Sequence, residues 1–332
     1  MRWAMIGSGR VSEQMATAIE NSPSSSLMGV FSRKPEKALS FLEAHGGGQV
    51  YSDLKELLAD DAVDIVYVAS PNNYHKEHVL AAAAAGKHVL CEKPMANDRQ
   101  SCVEMIEGCR DGKVLLGIGF QYRQHSAHRK IKELVSQNKL GDVIFADAAV
   151  HLPPMAIPSW YGDPSIAGGG VLPMSGVHRL DLLRYVIGSE VTQVSAFTDT
   201  RLPNGKFEDV VSAMLRFENG AIATVRFTME AQSNGEGISI NARKGWAVAR
   251  GTTSQWWGAK SGELEFSIDG DITSSGIEGE DLYQSQVQEF EGAIHGENAF
   301  SATGMDGLRA VDITLAIHES SSTGKVVIIP VY

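Results

Sequence analysis

Short apolar runs alternate with amphipathic segments through the first 120 residues. Arg2–Ile6, Leu27–Phe31, Val63–Ala69, His88–Cys91 and Val114–Gly117 read as strands, and Val11–Asn21, Pro35–His45, Ser52–Asp60, His75–Ala85 and Arg99–Asp111 read as helices. Val63–Ala69 is nearly all β-branched and apolar, the signature of a parallel strand buried on both faces. Gly86 stands where the helix before it should end. This repetition predicts a doubly wound parallel sheet of the Rossmann kind. After about Gly119 the pattern changes: Ser126–Asn138 is a helix with Ile131, Leu134 and Val135 on one face, and Gly141–His151 is a strand. Val177–Tyr185 is an amphipathic helix, and Gln193–Asp199, Val210–Phe217, Ala221–Glu230 and Gly237–Asn241 are strands at antiparallel spacing. The expected fold is α/β over residues 1–119, followed by an α+β domain over 120–332 with a mostly antiparallel, open-faced sheet. Ser233–Gly237 and Gly270–Gly279 are Gly/Ser-weighted and read as loops.

Composition narrows the partner. The 332 residues are 43% hydrophobic and 21% charged, with a net charge of −11, which disfavours nucleic acid and anionic membrane as partners and leaves a small molecule. Cys91, Cys102 and Cys109 form neither a Cys-x-x-Cys pair nor an even-numbered framework. No apolar stretch is long enough to cross a bilayer, and Met1–Ile6 is too short for an export signal, so a cytoplasmic location is expected.

Gly7-Ser8-Gly9-Arg10-Val11-Ser12 follows the first strand and opens the first helix, the context of a dinucleotide-binding turn. The first glycine permits the turn, and the second lets a pyrophosphate approach the helix N-terminus. Ser12 stands at the third position, where a small residue serves helix–strand packing. An acidic residue at the end of the second strand would hold the ribose 2′-hydroxyl of NAD(H), but Ser32, Arg33 and Lys34 stand there. A hydroxyl and two cations suit the 2′-phosphate of NADP(H), whereas Arg33 stacked on adenine would leave NAD(H) acceptable too.

Lys93, in Glu92-Lys93-Pro94, falls just past the fourth apolar run, at the carboxyl edge where open α/β sheets bind ligands. An ammonium there can stabilise an alkoxide or polarise a carbonyl. His178 follows Gly168-Gly169-Gly170, and an imidazole exchanges protons near neutrality. His75 and His78 lie three apart on a helix without a further ligand, so no metal site is expected.

The glycine turn, Ser70-Pro71-Asn72-Asn73-Tyr74-His75, Glu92-Lys93-Pro94 and the triple glycine before His178, in this order, resemble the Gfo/Idh/MocA family, with the branch of 1,5-anhydrofructose reductases nearest. The resemblance implies hydride transfer between a nicotinamide and a ring hydroxyl or ketone of a sugar, anhydrosugar or cyclitol, with Lys93 and His178 as acid–base groups. It places Ser70, Pro71, Asn72 and His75 along the cofactor and Glu92 at the ribose, beside Gly7, Ser8, Gly9, Arg10, Val11, Ser32 and Arg33. Tyr122, Arg123, His151 and Trp160 become candidate substrate groups, with Asp181 orienting His178 or capping the site. Family members carry Asp four residues before this histidine, and here that residue is Met174. The departure opens the alternative of a dihydrodiol or other cyclic-alcohol dehydrogenase; an alternative of another class is a nucleotide-binding regulator without catalysis. The uncovered sheet face implies a homodimer or homotetramer.

Overall fold

The computed structural model describes residues 1–152, 159–202, 205–231, 237–253, 261–278 and 281–330, arranged as two compact units. The first comprises Met1–Gln121 and Tyr283–Leu308. Its six-stranded parallel sheet contains β1 (Arg2–Ile6), β2 (Ser26–Phe31), β3 (Gln49–Tyr51), β4 (Ile65–Val68), β5 (His88–Cys91) and β6 (Leu116–Ile118), in the order β3-β2-β1-β4-β5-β6. The order reverses direction at β1 and β4, which makes the carboxyl ends of these strands the ligand edge of the sheet. Every residue of β4 is buried, as its unbroken apolar run requires.

Residues 283–308 correct the expected boundary, because they pack with the N-terminal unit instead of the second domain. The buried Trp3 indole donates to Glu291 Oε1 at 2.7 Å and lies 5.9 Å from the Phe290 ring. Ser25 Oγ donates to the same Glu291 oxygen at 2.6 Å.

The second unit, Tyr122–Leu282 and Arg309–Tyr332, holds a nine-stranded sheet. Its strands are β7 (Val143–His151), β8 (Val191–Asp199), β9 (Val210–Phe217), β10 (Ile222–Thr228), β11 (Gly237–Ala242), β12 (Gly245–Arg250), β13 (Gly262–Ile268), β14 (Asp271–Ile277) and β15 (Val327–Ile328). The order is β14-β13-β12-β11-β7-β10-β9-β8-β15, antiparallel except for the β7–β10 pair. One face packs against helices Ser126–Ser136 and Val177–Ile187; the other carries exposed Phe145, Phe197 and Met214. Asp271–Ile277 corrects the loop expected from Gly270 onward: it is a strand paired with β13 along its whole length. Of the other expected loop, residues 233–236 lie outside the described residues and Gly237 begins β11.

Candidate cofactor and active-site residues

The turn after β1 has the form its glycines predict. Gly7 adopts φ +112°, and a Cβ there would stand 2.6 Å from the Ala69 carbonyl oxygen at the end of the neighbouring β4. Gly9 caps helix Arg10–Glu20 without a side-chain bond, and a Cβ on it would enter open space. A helix N-terminus left open in this way suits a pyrophosphate, so the residues present fit a dinucleotide. Ser12 is fully buried and its hydroxyl donates to Gly7 O at 2.9 Å, locking the turn from within.

At the next strand end Ser32 Oγ lies 3.2 Å from Ser8 Oγ and accepts from the Lys34 amide at 3.4 Å. The exposed Arg33 guanidinium sits 5.4 Å above the Tyr74 ring. His75 is fully buried, with Nδ1 2.9 Å from Pro94 O and Nε2 2.8 Å from Ser70 O. Expected along the cofactor, this ring joins two loops: it ties the segment after β4 to the one after β5, and burial pulls its pKa down to about 4. Asn72 is buried beside it in the short turn Asn72–Tyr74, and Pro71 precedes that turn.

Glu92 is also buried, accepting from Tyr67 Oη at 2.6 Å and from its neighbour, the Lys93 amide, at 3.2 Å. Burial raises its pKa, opposed by the Lys93 charge and the Tyr67 bond. Lys93 thus emerges from a loop whose backbone is fixed by Glu92 on one side and, through Pro94, by His75 on the other.

In the second unit, the segment after the triple glycine makes one wide turn over Leu172–Gly176, with the Val177 amide reaching Leu172 O, before helix Val177–Ile187 begins. Wide turns of this kind recur at functional sites. His178 lies in the first helical turn, 6% exposed, with the Tyr122 ring edge-on at 4.8 Å. Tyr122 donates to Thr253 O at 3.2 Å, and Arg179 lies 5.1 Å over its ring while donating to Ser175 O and Oγ. Glu208 anchors the glycine run: its two carboxylate oxygens both accept from the Gly170 amide at 2.9 Å, and Oε1 also accepts from the Leu172 amide at 3.1 Å. Gly170 is obligatory there, since a Cβ would lie 2.0 Å from Glu208 O.

Several expected substrate groups have other work. Arg123 donates Nε to Asp181 Oδ2 at 2.8 Å and Nη2 to Oδ1 at 2.5 Å, and Arg184 adds a contact to Oδ1 at 3.3 Å. All three are buried, so Arg123, expected as a substrate group, forms a bidentate ion pair with Asp181 that is part of the framework. Asp181 commits its charge to the two arginines. Trp160 stacks on the buried Tyr161 at 4.1 Å and packs against the domain core, a structural role for the aromatic pair. Met174 is 6% exposed and packs within the same apolar cluster. His151 ends β7 half-buried, its pKa lowered by burial and by Arg226; Pro153-Pro154 beyond it lie outside the described residues. Among the described residues no cluster of His, Cys, Asp and Glu could hold a metal ion, and no helix is long and apolar enough to cross a membrane.

Sequence reasoning passed over Tyr67, Tyr74 and Glu208. Tyr67 could have been found as the one hydroxyl-bearing residue in Ile65–Val68, but nothing local marks Glu208 as the partner of a glycine run 38 positions away.

Such a fold, with a dinucleotide turn at one sheet edge, is that of a dinucleotide-binding α/β protein, and its relatives make it an NAD(P)-dependent oxidoreductase acting on CH–OH groups. Residues 1–120 match the oxidoreductase family with NAD-binding Rossmann fold, and residues 128–248 match the GFO/IDH/MocA C-terminal domain. The chain belongs to the Gfo/Idh/MocA oxidoreductase family. It is 29% identical to the 1,5-anhydro-D-fructose reductase of Ensifer adhaerens over 98% of this chain and 97% of that protein. It is 31% identical to the myo-inositol 2-dehydrogenase of Thermotoga maritima over 68% of this chain and 67% of that protein. The crystal structure of the aldose-aldose oxidoreductase of Caulobacter crescentus, complexed with glycerol, superposes with a TM-score of 0.90 at 26% identity, covering 99% of both chains.

Proposed function

We propose that the protein oxidises a ring hydroxyl, or reduces the corresponding ketone, of a sugar, anhydrosugar or cyclitol, with NADP(H) preferred to NAD(H). A bound nicotinamide supplies the hydride acceptor or donor. In the oxidative direction the hydroxyl proton passes to His178 as general base, and the Lys93 ammonium stabilises the alkoxide while the C–H bond breaks; reduction reverses both transfers. The observation that carries this reading is the mounting of Lys93 two residues past the end of β5, on a loop held by Glu92 and His75 at the ligand edge of a parallel sheet. The reductase and dehydrogenase relatives, which turn over an anhydroketose and a cyclitol, support the substrate class. The cofactor preference rests on Ser32, Arg33 and Lys34 in place of an acidic residue.

Met174 favours a second reading. Its side chain packs among apolar residues four positions before His178, where a carboxylate would pair with a hydroxyl, so substrates with fewer hydroxyls, such as anhydro rings or cyclic dihydrodiols, suit it better than a full hexose.

One panel tests both readings. Keto-sugars, anhydrosugars, cyclitols and dihydrodiols are offered with each cofactor, and reduced nicotinamide is followed by absorbance. The expected outcome is turnover of at least one cyclic substrate, a lower KM for NADP(H), and a kcat lowered roughly 10²–10⁴-fold by Lys93→Ala and by His178→Ala with cofactor affinity nearly unchanged. Cofactor binding without turnover across the panel would leave a nucleotide-binding protein without catalysis.

A further inference from the structure

We propose, building on the NADP(H) preference inferred above, that Tyr74 is a positioning residue for the adenosine 2′-phosphate: its ring holds the Arg33 guanidinium ready before the phosphate arrives. Arg33 is exposed on the loop after β2, and a long exposed side chain loses rotamer freedom when it captures an anion. The contact of its Cζ with the Tyr74 ring at 5.4 Å removes part of that freedom in advance.

Tyr74 is itself braced. Its ring stacks on the His78 ring at 6.1 Å with an interplanar angle of 22°, and His78 Nδ1 lies 2.9 Å from Ser70 Oγ. Arg33, Tyr74 and His78 therefore form a chain of contacts that reaches from the end of β2 to the helix after β4. Burial and the nearby Arg33 charge pull the His78 pKa down to about 4, so at neutral pH the His78 ring is uncharged and does not repel the guanidinium. The hydroxyls of Ser8 and Ser32, 3.2 Å apart, and the Lys34 cation share the same strand end, giving a phosphate further partners in reach of this loop. Nothing in this group favours a ribose that lacks the phosphate, because a free 2′-hydroxyl brings no charge for Arg33 to meet.

The test reads binding directly. Dissociation constants for NADPH and NADH are measured by nicotinamide fluorescence for the wild type, Tyr74→Phe, Tyr74→Ala, Arg33→Ala and the double alanine variant. A cation–π contact at an exposed site corresponds to about a five-fold change in affinity. Tyr74→Ala is expected to weaken NADPH by about that factor and NADH by much less, Tyr74→Phe to stay at the wild-type values, and the double variant to bind NADPH no worse than Arg33→Ala. If Arg33→Ala weakens NADPH selectively while Tyr74→Ala changes nothing, the positioning role is wrong and the cofactor preference stands. Equal weakening of both cofactors by Tyr74→Ala also overturns the role, since the ring would then support the whole loop. If Arg33→Ala itself fails to discriminate, the NADP(H) preference falls and the inference with it. Should Tyr74→Ala not fold, Tyr74→Leu keeps the bulk without the aromatic face and gives the same comparison.

Discussion

His75 shows how one buried side chain sets the chemistry of others. Its two nitrogens face the carbonyls of Ser70 and Pro94, so the ring lies between the segment after β4 and the one after β5, donating to one carbonyl in its neutral form and to both only when protonated. Its folded pKa of about 4 lies below the ordinary histidine value, and the sign follows: between pH 6.5 and 4 the unfolded chain binds the proton that the folded protein refuses. His75 therefore contributes full stability above about pH 6.5 and loses it as the pH falls toward 4, a change on the order of 3 kcal/mol. Urea unfolding of the wild type should show a falling midpoint across that window, and His75→Gln should flatten the slope; parallel slopes in the two proteins would mean that His75 does not titrate there. At this scale the Gly7 turn was legible, because the strand before it and the helix after it mark the position. Arg123 and Asp181 were not: each looks available alone, and the 58 positions between them hide that they satisfy one another.

Elements were legible where one face meets a core and one meets solvent. The period-2 runs of β8, β9 and β10 and the strand–helix alternation of the first 120 residues could be read directly. Gln49–Tyr51 is too short to show a period, and Asp271–Ile277 is exposed along nearly its whole length, so neither strand carries an apolar signal. The helix Gly304–Thr323 is buried around most of its circumference over residues 307–314, which erases the one-sided pattern that marks a surface helix. The entry to the His178 helix depends on a residue from another element, Glu208, which approaches β9 and takes two amides of the glycine segment. Glu208→Ala should leave those donors unpaired and lower stability by about 3 kcal/mol, while kcat falls at least about ten-fold as the turn before His178 loosens. Cofactor affinity should hold, since the dinucleotide turn belongs to the other unit. A drop in cofactor affinity equal to the drop in kcat would instead mean a general collapse of the fold.

At the scale of the whole molecule, local pattern could place the first boundary, near Gly119, but not the return of residues 283–308 to the N-terminal unit, because nothing in an amphipathic helix says which of two cores its apolar face will join. The same limit applies to what covers the open face of the nine-stranded sheet. Strand register aligns Ile272, Trp246, Phe145, Ile222 and Ile328 in a single row across that face, interleaved with Ser267, Asn241, Arg216 and Gln193. Ile272, Phe145 and Ile328 are 63%, 54% and 65% exposed, and Met214 in the adjoining row is 56% exposed. Apolar side chains concentrated on one flat surface are costly for a monomer, and a second copy placed about a two-fold axis would bury the patch against itself. We therefore expect a homodimer through this face, or a homotetramer containing that dimer. Sedimentation velocity at about 10 µM should give the dimer or larger for the wild type, and the paired substitutions Phe145→Glu and Met214→Glu should give a monomer, because both add charge at the centre of an interface that needs roughly 1,000 Å² of complementary surface to persist. The far-ultraviolet circular dichroism of the variant should match the wild type, since both positions face away from the core. A wild type that sediments as a monomer, or a doubly substituted protein that remains a dimer, would reject this face as the contact.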